Sequence, residues 1–269
     1  MSKLLCKHTA PDETGRVHHI TPENAKWGYV GFDLYELAPG QSIVNETGDR
    51  EVCLVMVTGT GTVETGGQTF ENIGGRESVF DGTSPHAVYV PAGSSFTVTA
   101  NSPLTLGVCN APGTSNRPAR LIAPQDMDRE TRGEGTNVRH VCNILPDTAV
   151  ADSLLVVEVI TPGGNWSSYP PHRHDTDDLP KQSNLEETYY HRLNPSQGFA
   201  FQRVYTDDRS LDETMSVEDG DVVMVPKGYH PVGAPHGYDL YYLNVMAGPT
   251  REWQFHNDPD HEWIIDNPA

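Results

Sequence analysis

Short apolar runs rich in Val, Tyr and Thr recur along the whole chain, each bounded by Gly, Pro, Asn or Asp. Runs of this kind predict antiparallel strands in a sandwich or barrel. Sustained helical periodicity is nearly absent. Only the stretch from Ala119 to Arg132 reads as partly helical.

The runs are written twice. Glu36-Leu-Ala-Pro-Gly40 in the first half has a counterpart in Val159-Ile-Thr-Pro-Gly163. Glu51-Val-Cys-Leu-Val-Met-Val57 answers to Glu187-Thr-Tyr-Tyr-His-Arg-Leu193. Ala87-Val-Tyr-Val-Pro-Ala-Gly93 answers to Asp221-Val-Val-Met-Val-Pro-Lys-Gly228, and Leu104–Val108 to Leu240–Val245. The order is the same in both halves, with an insertion in the second around Asp175 to Leu185. The expected fold class is therefore all-β, two antiparallel β-barrels in tandem. Residues 1–135 would form the first barrel with its linker and residues 136–269 the second.

Composition narrows the partners. The 269 residues carry a net charge of −19, from 18 basic and 37 acidic side chains. Such a surface repels phosphate backbones and anionic lipid, so neither nucleic acid nor membrane is an expected partner. No apolar run is long enough to span a bilayer, and the first ten residues are too polar for a secretory signal. The cysteines Cys6, Cys53, Cys109 and Cys142 form no CxxC pair and read as free thiols of a cytoplasmic protein.

Candidate chemistry appears in the second copy only. In Pro170-Pro171-His172-Arg173-His174, two histidines at i and i+2 share one face of a strand. Glu187 opens the next long strand, and His230 follows the Val-Pro-Lys-Gly-Tyr turn. Three imidazoles and a carboxylate suit one divalent transition metal rather than a calcium or magnesium cage. Zn²⁺ or Mn²⁺ is expected, with Fe²⁺ or Ni²⁺ as alternatives. Glu186 competes with Glu187, and the repeat, which sets Glu51 opposite Glu187, favours Glu187. His236 competes less with His230. Asp175, Asp177 and Asp178 lack the glycine and the terminal glutamate of a calcium loop and read as a solvated insertion. The aromatic segment from Trp253 to Trp263 would pack on a barrel or another subunit, or cover a pocket mouth.

The HxH, Glu and Pro-x-Gly…His set resembles the cupin superfamily. The first copy departs from it, with no HxH after Pro39-Gly40 and with Ser95 where His230 stands. Longer strings narrow the likeness. Trp27–Phe32, Arg132–Gly135, Arg139–Leu145, Pro170–Asp177, Gln197–Asp208, Tyr229–Gly237 and Phe255–Trp263 resemble the 5-deoxy-glucuronate isomerase family of inositol catabolism. That family is similar to the 4-deoxy-5-ketouronate isomerases. The resemblance implies a bicupin of two jelly-roll barrels, the first one degenerate. It also implies a metal-dependent aldose–ketose isomerase, a small anionic sugar-acid substrate and a homo-oligomer. Under it, His191 and Tyr189, which follow Glu187 with period two, become candidates for acid–base work. Arg203, with Arg139 as a second choice, becomes the candidate to receive the substrate carboxylate. Another metal-dependent cupin enzyme, such as a different uronate isomerase or an iron dioxygenase, and a sugar-binding cupin module are the competing classes.

Overall fold

The computed structural model describes residues 2–114 and 117–267. Residues 115–116 of the expected linker and the outermost ends of both expected domains, residues 1 and 268–269, lie outside the described residues. The architecture is all-β. Among the described residues, helix is limited to the single turn Pro22–Ala25 and three short 3-10 turns. Among the described residues, no helix is long and apolar enough to cross a membrane.

The chain divides into two compact units, and the division is not a single cut. One unit comprises Thr9–Asp128 and Asn143–Val156; the other comprises Met1–His8, Arg129–Cys142 and Val157–Ala269. The expected helical stretch is instead strand Arg120–Ile122, the 3-10 turn Pro124–Asp126 and strand Asp128–Arg132. Pro124 opens that turn but no apolar stripe follows to extend it, and edge pairing of Arg120–Ile122 with Ala87–Tyr89 prevails.

In the first unit, a six-stranded sheet faces a four-stranded one. Arg50–Thr58 lies between Ala87–Val90 and Leu104–Pro112 in the larger sheet. Alternation sends Val52, Leu54 and Met56 inward, where they meet Leu104, Leu106, Val108, Phe96 and Val98 in one apolar cluster. Each such side chain contributes roughly 1.5–3 kcal/mol on burial. Cys53 and Cys109 sit opposite each other in the same sheet as free thiols, and burial pushes the Cys53 thiol up to about 12.

The second unit repeats the plan with different contents. Glu186–Asn194 lies between Val222–Val225 and Asp239–Ala247, and the four-stranded sheet holds Trp166–Ser167, Val232–Gly233, Phe199–Tyr205 and Asp212–Glu218. The short strand Leu5–Cys6 adds to the edge at Val222–Val223. Just beyond it, the Lys7 ammonium sits 2.8 Å from the Asp221 carboxylate. The Asp175 to Leu185 insertion is the hairpin Asp175–Asp178 with Gln182–Asn184.

Strand register corrects one step of the sequence comparison. Glu187 pairs with Val225, the residue before Pro226, whereas Val52 pairs with Val90, the residue before Pro91. The counterpart of Glu187 is therefore Val52, not Glu51. A one-residue shift turns a side chain to the opposite face of its sheet. Glu51 accordingly faces away from the first unit's apolar cluster. It accepts hydrogen bonds from the Tyr89 hydroxyl and the amides of Asp152, Ser153 and Leu154.

Candidate metal centre and its cavity

Three elements deliver the centre. The strand His172–Arg173 is held by pairing with His256–Asn257, which sets His172 and, just beyond the strand, His174 on one side. Glu187 begins the inward face of Glu186–Asn194. His230 is placed by the turn after Val222–Val225. That turn needs Gly228, whose φ is +92° and whose added Cβ would lie 2.4 Å from the Tyr205 carbonyl oxygen. Asp175 secures it by accepting the Gly228 amide at 2.8 Å. The insertion thus supports the site at this residue, while Asp177 and Asp178 are exposed as expected.

The geometry converges. One ligand atom from each of His172, His174 and His230 lies within 4.8 Å of the others, and all three residues are buried. Glu187 Oε1 stands 3.1 Å from His174 Nε2, and Oε2 stands 3.2 Å from His230 Nε2. The outer nitrogens are fixed by backbone carbonyls, His174 Nδ1 by Leu185 at 3.2 Å and His230 Nδ1 by Gly228 at 2.8 Å. A proton on each Nδ1 leaves the Nε2 lone pair facing inward, the tautomer a metal ligand needs. His174 Nε2, His230 Nε2 and Glu187 Oε2 are buried without a hydrogen-bond partner. Buried orphans of this kind are costly unless something else binds them. His172, His174 and His230 could hold a metal ion, and Glu187 adds an anionic oxygen beside two of them.

Electrostatics agree. Burial first, then the neighbouring His230, His174, Arg139 and Arg132, holds the His172 ring well below the ordinary imidazole range. Burial also lowers His230, against the opposing pull of Glu187. At His174 burial pulls the pKa down, but the Glu187 carboxylate outweighs it and the pKa is raised. Burial would raise Glu187, and the charges of His174 and His230 lower it instead. A bound cation would compete with protons for these ligand atoms.

A small inner cavity of about 30 Å³ adjoins the centre, lined among others by His172, Glu187, Tyr189, Tyr242, Asn244 and Trp253. Tyr189 places its hydroxyl 3.2 Å from Ser168 Oγ, and its ring centroid lies 5.9 Å from that of His230. His191 is not among the lining residues. It is fully buried, with Nε2 3.0 Å from Gln202 Oε1, and burial lowers it to about 4. Arg203, the expected carboxylate receiver, is engaged elsewhere. It makes two side-chain hydrogen bonds to Asp212 at 2.8 and 2.7 Å on the outer face, and it lines neither the inner cavity nor the adjoining cleft. Two residues that sequence reasoning left without a role enter the cavity wall. Arg132 stacks 4.7 Å over the Trp253 ring, and Asn244 occupies the position of Val108 in the other repeat. The C-terminal aromatic segment covers the centre through Phe255, whose ring centroid lies 4.6 Å from that of His172.

The KduI/IolB family profile matches residues 4–264. The chain belongs to the KduI/IolB family. Among relatives of this KduI/IolB chain, a 5-deoxy-glucuronate isomerase of Geobacillus kaustophilus is 56% identical over 267 residues, covering 99% of this chain and 97% of the relative. One from Bacillus subtilis strain 168 is 53% identical, covering 99% and 100%. A crystal structure of an IolB-like protein from Salmonella typhimurium superimposes with a TM-score of 0.95 at 53% identity, over 98% and 99% of the two chains. Oxalate decarboxylase from Bacillus subtilis aligns with a TM-score of 0.64 at 13% identity, over 100% of this chain and 86% of that one. That likeness concerns fold alone. The KduI/IolB chain thus has the all-β bicupin fold expected from its sequence.

Proposed function

We propose that this chain is a metal-dependent aldose–ketose isomerase that converts 5-deoxy-D-glucuronate to 5-dehydro-2-deoxy-D-gluconate in myo-inositol catabolism. The observation that carries the reading is 56% identity, end to end, with a protein named for that isomerisation. The reaction moves a proton from C2 to the aldehyde carbon C1 and leaves the far carboxylate untouched. No redox partner is needed.

His172, His174, Glu187 and His230 hold one divalent ion in this reading, Zn²⁺ or Mn²⁺ by donor type. When bound, the ion supplies Lewis-acid polarisation of the substrate's oxygens and offsets charge developing on them. Tyr189 offers a hydroxyl in the inner cavity, within reach of a substrate oxygen there. Asn244 and Tyr242 complete a polar wall that orients the reacting carbons. His191 packs behind this wall and takes no proton transfer. A homo-oligomer belongs to the same reading, and light scattering on the purified protein tests it.

The test of the activity is an anaerobic turnover assay with 5-deoxy-D-glucuronate on metal-analysed protein. Ketose product without oxygen is expected. A fully metallated protein that forms none would overturn the assignment.

A further inference from the structure

The inner cavity, at about 30 Å³, is the size of a water or an ion, not of a six-carbon sugar acid. It opens beside a cleft of about 510 Å³, lined among others by Asn137, Tyr169, Pro170, Phe255, Asn257 and Ile264. Among the described residues, His172 and Arg139 alone line both spaces. They mark the neck between them. A substrate whose reacting carbons sit at the centre must leave the other end of its chain in this cleft.

Arg139 is unusual for its surroundings. The chain carries 37 acidic side chains against 18 basic ones, and other arginines of the same unit are engaged by acids. Arg132 is 2.6 Å from Glu130, Arg173 is paired with Asp207, and Arg203 is 2.7 Å from Asp212. Arg139 has no carboxylate within ion-pair distance among the described residues, although Glu134 also lines the cleft. Its Nη1 donates to the carbonyls of Asn137 at 3.1 Å and Tyr169 at 3.3 Å. Those two bonds fix the guanidinium, and its Nε–Nη2 edge has no hydrogen-bond partner among the described residues. That edge is the fork that a carboxylate accepts in bidentate fashion.

We propose that Arg139 is the substrate-carboxylate receiver, at the neck between cleft and metal centre, and that it selects uronates over neutral aldoses. This rests on the isomerase reading for the identity of the substrate, but the ligand chemistry, a small sugar monocarboxylate, follows from the site. The guanidinium touches the unreactive end of the molecule. It acts by fixing the register of the chain, so that the C1–C2 end is presented at the mouth of the inner cavity and longer or uncharged sugars are misplaced.

The experiment compares wild type, Arg139→Met and Arg139→Lys with 5-deoxy-D-glucuronate and with its neutral counterpart, in which a hydroxymethyl group replaces the carboxylate. Arg139→Met is expected to lower kcat/KM on the acid by about 10²–10³-fold, mainly through KM, and to leave the neutral aldose within about threefold. Arg139→Lys should recover part of the preference, since it keeps the charge but not the fork. A merely structural role would depress both substrates alike, and an unchanged acid-to-neutral ratio overturns the proposal. Calorimetric titration with D-glucuronate and D-glucose separates this from the isomerase assignment. If wild type turns over neither deoxy sugar, that assignment fails alone. Tighter binding of glucuronate than of glucose, lost in Arg139→Met, still supports the receiver. Equal binding of the two, or equal glucuronate binding by wild type and Arg139→Met, removes it.

Discussion

Glu51 accepts a 2.6 Å hydrogen bond from the amide of Ser153, across a separation of 102 residues in sequence. The amides of Leu154 and Asp152 and the Tyr89 hydroxyl bind the same carboxylate at 2.6, 2.7 and 2.7 Å. The residue is fully buried. Four donors converge on an acceptor-only group, so Glu51→Gln would turn an amide N–H toward backbone N–H groups. We expect it to destabilise the protein by about 2–4 kcal/mol, the range for breaking a buried charged hydrogen-bond network. Urea unfolding would show a lowered midpoint, with metal content unchanged. A midpoint within error of wild type would mean the carboxylate does not hold that loop.

That same residue shows where sequence reading succeeds and where it stops. The paired strands were legible because apolar runs and Pro-Gly turns repeat in order. The HxH pair was legible because period-two spacing puts both rings on one side. A glutamate beginning each copy looked equivalent, yet only hydrogen-bond register reveals the one-residue offset between Glu51 and Glu187. Arg139 and Trp253 belong to neither repeat, and their approach to the centre depends on chain paths that no local pattern encodes. Leu5–Cys6 is too short to carry any periodic signal. Arg203 looked available because its acid partner, Asp212, sits on the neighbouring strand.

The orphaned atoms at the centre make metal binding measurable apart from activity. His174→Ala is expected to purify with well below one equivalent of metal. Chelation should lower the melting temperature of wild type and leave that of the variant nearly unmoved. Metal at a hundred times its Kd adds about 2.7 kcal/mol to the stability of the folded form. Elemental analysis and thermal scans with and without chelator check both points. Equal metal content in the two proteins would argue against His174 as a ligand.

Arg203 makes a contrasting case. Its side chain is 40% exposed and its partner Asp212 34% exposed, so the pair is screened by water. Exposed pairs contribute about 0–1 kcal/mol. Arg203→Met should therefore change KM and kcat for the sugar acid by less than about twofold, with a loss of stability inside that range. Steady-state kinetics beside Arg139→Met give the comparison. A large rise in KM for Arg203→Met alone would return the carboxylate to the outer face.

His191 gives the pH dependence. Burial lowers it from the ordinary imidazole value to about 4, against the weaker pull of Gln202 and Asp221 in the other direction. The unfolded chain takes up this proton near 6.5, the folded chain only near 4, so between these values the unfolded state binds more protons. Stability must then rise with pH across that window and be lost as pH falls through it. The contribution is complete above the unfolded value, and from about pH 7 to about pH 5 the loss is about 2 kcal/mol. His191→Phe removes the titration while leaving Gln202 Oε1 without this partner, so the variant starts less stable but should fall less steeply. Urea midpoints at several pH values, on chelated protein so that metal release adds nothing, give the two slopes. Parallel slopes would mean that the buried imidazole is protonated as readily in the folded chain as in the unfolded one.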